Sequence, residues 1–102
     1  MPSPHSVLVV LRRMLGEPAL ARLTTSELLA FITVCEERQT NGARLVAVIP
    51  RPVRTAFRHI RRLNERGLIR LSSSAVDRRI TIVTLTEQGE GLRESIFREE
   101  QI

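Results

Sequence analysis

The chain has 102 residues, of which 42% are hydrophobic and 26% charged, and it carries a net charge of +5. This is the size and composition of one small globular domain. A single cysteine excludes an internal disulfide, and two histidines far apart in sequence argue against a structural zinc site. No cofactor or metal is expected, and self-association is the remaining support for so small a core.

Met1 to Pro4 reads as a loose lead-in. His5 to Leu15 follows as a helix, with Val7, Leu8, Val10, Leu11, Met14 and Leu15 at helical spacing and Arg12 and Arg13 on the other side. His5 itself reads as a terminal surface residue. Gly16 and Pro18 end the helix. A helix this apolar needs a cover, either its own core or a second subunit.

Thr24-Thr25-Ser26-Glu27 is a capping-box signature, and the helix it opens is expected to run to about Arg38. Leu28, Phe31, Ile32 and Cys35 form its apolar stripe. On such a stripe Cys35 is inert packing rather than a redox sensor. Gln39 to Gly42 reads as a turn. Ala43 to Ile49 suits either a strand or the first helix of a helix-turn-helix.

Pro50 and Pro52 then break the chain, and a helix over about Pro52 to Arg66 follows. At 100° per residue, Val53, Ala56, Phe57, Ile60 and Leu63 share one side. Arg51, Thr55, Arg58 and Arg62 project opposite, flanked by Arg54 and Glu65. His59 falls at the boundary. Gly67 stands where a left-handed cap is wanted. Ile69–Leu71 and Ile80–Leu85 are strand-like, and the polar Ser72–Arg79 connection makes them a hairpin with a projecting basic tip. Thr86 is a natural N-cap for a last helix over about 87–101, with Leu92 and Ile96 on one stripe and Phe97 beside it. Gly89 and Gly91 weaken its first turn.

Charge is not spread evenly. Residues 51 to 79 hold nine arginines against two acids, Glu65 and Asp77, while the rest of the chain holds seven against nine. A local excess of this kind suits a surface that meets nucleic-acid phosphates. All the basic residues are arginines, whose planar fork fits phosphates and guanine edges. No apolar run is long enough to span a bilayer, and the N-terminus lacks a signal-peptide pattern. A cytoplasmic, nucleoid-associated location without a membrane partner is therefore expected.

Helix, turn, basic helix and basic-tipped hairpin make up the plan of a winged helix-turn-helix. The expected fold class is accordingly mainly α with a small β-hairpin (α+β). From Leu23 to Leu92 the chain resembles the multiple-antibiotic-resistance-regulator (MarR) family. IRRLNERGLI (Ile60–Ile69), DRR (Asp77–Arg79) and VTLTEQGEGL (Val83–Leu92) carry the resemblance, in the order of that family's recognition-helix end, wing and post-wing helix.

The resemblance implies a bacterial homodimer that binds inverted-repeat double-stranded DNA, usually as a repressor. It implies that helix 52–66 enters the major groove and that the hairpin is the wing. Arg79 would reach the minor groove, oriented by Asp77, with Arg78 beside it at the tip. The N-terminal part of a recognition helix reaches base edges, so Arg54, Thr55 and Arg58 are the expected readers, with Arg62 and Arg51 on phosphates.

The chain departs from the family in two places. Pro50 and Arg51 fall in the turn where the family prefers glycine and an apolar residue. The last helix is short for one that dimerises and walls a ligand pocket, which leaves a small-molecule inducer as an open question. The domain is expected to be single, spanning 1–102, with helices 5–15 and 87–101 forming the dimer contact.

An enzyme would need a nucleophile–base set, a carboxylate pair or a metal cluster, and the sequence presents none. The rival to an operator-specific regulator is a winged-helix module with an architectural or protein-contact role, for which salt-dependent binding to specific and random duplexes is the discriminator.

Overall fold

The computed structural model describes residues 4–98, with side chains from Val7 onward. The expectations for Met1–Ser3 and for the His5 side chain lie outside those residues, while the last helix stops at Phe97 with Arg98 extended, short of the expected 101. Nine elements follow in order: α1 (Pro4–Gly16), α2 (Pro18–Ala21), α3 (Thr25–Glu37), β1 (Gln39–Asn41), α4 (Gly42–Val48), α5 (Val53–Glu65), β2 (Ile69–Ser73), β3 (Thr81–Leu85) and α6 (Glu87–Phe97).

Local chemistry explains most of the boundaries. Thr24 caps α3 through the expected box: its hydroxyl accepts from the Glu27 amide at 3.2 Å, and Glu27 Oε1 accepts from the Thr24 amide at 3.0 Å. Asn41 caps α4 by accepting from the Arg44 amide at 2.9 Å. That cap decides between the two readings of 43–49: the segment is the first helix of the helix-turn-helix.

Pro52 stands at the N-cap of α5, so the helix begins at Val53, one residue later than expected. Gly67, with φ +76°, closes α5 in the left-handed conformation. The Leu68 amide donates to Leu63 O (3.1 Å) and the Gly67 amide to Asn64 O (3.0 Å), a Schellman closure. Thr86 caps α6 by accepting from the Gly89 amide at 3.0 Å.

Three expectations are corrected. Pro18 does not merely end α1; it occupies the first position of a short helix, α2, where a proline lacks no needed donor. Gln39–Asn41 is not only a turn; it is a strand pairing antiparallel with β3, with Thr40 opposite Val83. The hairpin is thus part of a three-stranded sheet of order β1-β3-β2. Gly89 is more than a weak point in α6. A Cβ there would collide with the Leu68 carbonyl, so glycine is what lets the first turn of α6 seat against the end of α5.

Leu20, Phe31, Leu45, Leu63, Leu68, Ile69, Val83 and Ile96 are wholly buried and tie the helices and the sheet into one core. Cys35 is buried with them, and burial pushes its thiol up to about 12, consistent with packing and not redox chemistry. Arg13 is not a free outer-face cation. Its guanidinium donates to Ile96 O (3.3 Å) and Arg98 O (2.6 Å), capping the C-terminal end of α6. Val7, Leu8, Leu11 and Leu15 remain exposed along α1, so the fold of one chain does not cover that stripe.

Candidate nucleic-acid interface

The inward side of α5 is defined by Ala56, Ile60 and Leu63, each 2% exposed or less. With that stripe inward, the 100° spacing turns Arg54, Arg58, Arg61 and Glu65 outward. The outward face is therefore rotated from the one drawn above, which was centred on Arg51, Thr55, Arg58 and Arg62. Thr55 is half-buried on one flank. Arg62 is exposed but leans back, with Nη1 3.8 Å from Glu27 Oε2. Arg61 takes a place on the outward face that sequence reasoning did not give it. The i, i+4, i+7 run of Arg54, Arg58 and Arg61 was the signal that could have found it.

The rotation has a simple cause. The apolar side chains of α5 form a wider arc than the core uses. Val53 is 60% exposed and Phe57 40%, so two residues counted as core lie on the outer flank. Arg51 lies exposed in the turn before the helix, its guanidinium donating to Pro50 O at 2.8 Å. Arg66, at the end of α5, and Arg70, on β2, are further exposed cations.

Beneath the face, Glu27 anchors α5 to α3. Its carboxylate has no exposed surface, and its Oε2 lies 3.2 Å from His59 Nδ1. Burial pushes this carboxyl up, but the Thr24 amide, the His59 ring and Arg62 outweigh it, and the net result lies below the ordinary value. His59 is therefore a boundary residue with a specific partner, and Glu27 is a residue that sequence reading saw only as half of a capping box.

The hairpin tip is built by short-range hydrogen bonds. Ser74 Oγ accepts from the amides of Val76 (3.2 Å) and Asp77 (3.3 Å), and the Ile80 amide donates to Asp77 O at 3.0 Å. Asp77 then receives Arg79 three times: from its amide at 3.0 Å, from Nε at 3.1 Å and from Nη2 at 3.1 Å. The guanidinium is fixed by a two-pronged pair yet is 91% exposed. Arg79 holds the Asp77 carboxyl below its usual range through both the side chain and the amide. Arg78 is exposed beside it. The structure thus brings Arg54, Arg58 and Arg61 onto one helix face and Asp77, Arg78 and Arg79 into one hairpin tip, and it sets Thr55 and Arg62 to the flank.

Among the described residues no cluster of three His, Cys, Asp or Glu could hold a metal, and no helix is long and apolar enough to cross a membrane. A basic helix laid over a helix-turn-helix, followed by a basic-tipped hairpin, defines a class. The chain belongs to the winged helix DNA-binding domain family, whose model matches residues 23–89.

Within that class its fold is MarR-like. It is similar to a mutant MarR from E. coli complexed with operator DNA (TM-score 0.66, 16% identity), covering 90% of this chain and 66% of that one. It is also similar to FabT from Streptococcus pneumoniae in complex with DNA (0.69, 15%), covering 88% and 64%. BpsR from Bordetella bronchiseptica, whose DNA binding is regulated by 6-hydroxynicotinic acid, matches at 0.63 and 24%, covering 88% and 71%. The chain therefore spans about two thirds of the length of these structures. A search of curated proteins found no match.

Proposed function

We propose that the protein is a homodimeric transcription regulator that represses from an inverted-repeat operator. The observation that carries this reading is the pairing of two cationic devices on one chain: the outward arginines of α5 and the exposed, pre-oriented Arg79 of the wing. Arg54 and Arg58 read base edges, because they lie in the first turns of the helix, while Arg61 and Arg51 meet phosphates. Thr55 and Arg62 contact DNA from the flank. Arg79 enters the minor groove with Asp77 fixing its plane, and Arg78 meets the neighbouring backbone. MarR and FabT were each solved on DNA, which supports the same use of this fold.

The exposed α1 stripe supports the dimer. Four large apolar residues, Val7, Leu8, Leu11 and Leu15, stand in water on the single chain, and Phe97 of α6 is 37% exposed. A two-fold pairing of these terminal helices sets the two copies of α5 about one DNA turn apart. Mapping bound DNA across the source genome, with transcripts compared in a strain lacking the protein, tests the reading. Discrete inverted-repeat sites next to derepressed genes are expected. Even coverage with no preferred site would mean an architectural role instead.

A further inference from the structure

The outward side of α5 holds an open groove lined by Val53, Arg54, Phe57, Arg58 and Arg61. Its rim is cationic, but two of its five residues are apolar, and the helix does not hide them. Val53, in the first turn, is 60% exposed, and Phe57, one turn later, is 40% exposed. The edge of the Phe57 ring lies beside Gly42 at the start of α4, which in turn lies beside Thr81 of β3. Val53 is β-branched and stiff at χ1 within a helix. Both apolar groups thus stand exposed among three guanidinium groups.

A purely apolar partner does not suit such a rim, since it would strip water from three arginines and return no charge. The major groove of DNA supplies both halves of the match. Phosphates and polar base edges meet the arginines of the rim, and the base edges carry one apolar group, the C5-methyl of thymine. Resting on the reading of α5 as the recognition helix, we propose that Val53 and Phe57 are specificity-determining residues that receive thymine methyl groups. Four residues of helix rise about 6 Å, close to two base-pair steps of about 3.4 Å. The two side chains therefore address thymines one or two steps apart in each half-site.

The test changes the DNA and leaves the protein intact. Duplexes are selected by the parent protein from a random-sequence library, and the preferred duplex is remade with deoxyuridine replacing each thymine singly. Deoxyuridine keeps every hydrogen-bonding group and lacks only the methyl. One or two thymines per half-site should each weaken binding by roughly fourfold when demethylated, the effect of burying about one methyl group, with the other thymines silent. On the Val53→Ala protein the penalty at one of these thymines should shrink, and on Phe57→Ala the penalty at the other. Val53 is exposed enough that its substitution leaves the fold intact. Sequence-selective binding that is indifferent to every methyl overturns this inference and spares the reading of α5. A methyl effect that persists unchanged in both variants also overturns it. Failure to select or bind any duplex overturns the reading of α5 itself.

Discussion

Glu27 Oε2 lies 3.2 Å from His59 Nδ1, so a carboxylate with no exposed surface joins α3 to the flank of the basic helix α5. The same carboxylate closes the N-terminus of its own helix through Thr24 and draws in Arg62. One side chain therefore both caps α3 and ties that helix to α5.

Replacing Glu27 with alanine should lower stability by about 1–3 kcal/mol, the range for stranding buried hydrogen-bond partners, read from urea unfolding. The pH dependence has a definite sign. The folded Glu27 carboxyl lies below its ordinary value of 4.5, so its contribution is fully present above that value and is lost as pH falls through the folded one. Glu27→Gln should flatten the stability profile below about pH 4.5. An unchanged acid limb in Glu27→Gln would mean that the carboxylate is not the group that titrates there.

The helix face predicts a split among arginines. Arg58→Ala should lose roughly 1–3 kcal/mol of discrimination between a preferred and a mutated duplex. Arg61→Ala should weaken both duplexes alike. Arg62→Ala should cost less binding than Arg61→Ala and more stability, because Arg62 leans on Glu27. Paired titrations on the two duplexes, with thermal melts of each variant, separate these outcomes.

The wing predicts a hierarchy. Arg79→Ala should weaken binding to all duplexes and flatten the salt slope by roughly 0.9 if one phosphate contact is lost. On A·T-rich flanks the loss should be larger, because the minor groove there is narrow and its potential more negative. Asp77→Ala should cost less, since it frees the guanidinium without removing it. Melting temperature should barely move for either, as both lie in an exposed tip. Salt-series titrations that give Arg79→Ala the parent's affinity on every flank would rule out wing contact.

The exposed stripe of α1 predicts that Leu11→Glu shifts a dimer to monomer in sedimentation at micromolar concentration while the far-ultraviolet spectrum stays that of a folded chain. A parent protein that sediments as a monomer with and without DNA would contradict the dimer.

Elements marked by strong local chemistry were legible in the sequence. The Thr24 box, the Gly67 cap and the Thr86 cap each rest on a few adjacent residues, and each stands where the sequence puts it. β1 was not legible, because Gln39–Asn41 has no apolar alternation and its partner Val83 lies far along the chain. The rotation of α5 was misjudged for a related reason. Periodicity gives the width of an apolar arc, but only packing decides which part of it is buried, and the core took Ala56 while leaving Val53 outside. The Glu27–His59 contact spans two helices and carries no local signal. The Asp77–Arg79 pair does, and its geometry follows from the two-residue spacing and the turn built by Ser74.

The central claim is sequence-selective DNA binding by the outward face of α5 and the wing. Its most direct test is equilibrium titration of the parent protein onto a duplex selected from its own genome and onto a scrambled duplex of the same composition, across a salt series. Affinity for both should fall as salt rises, with the selected duplex held at least roughly a thousandfold more tightly. Equal affinity for the two duplexes at every salt concentration would contradict the claim.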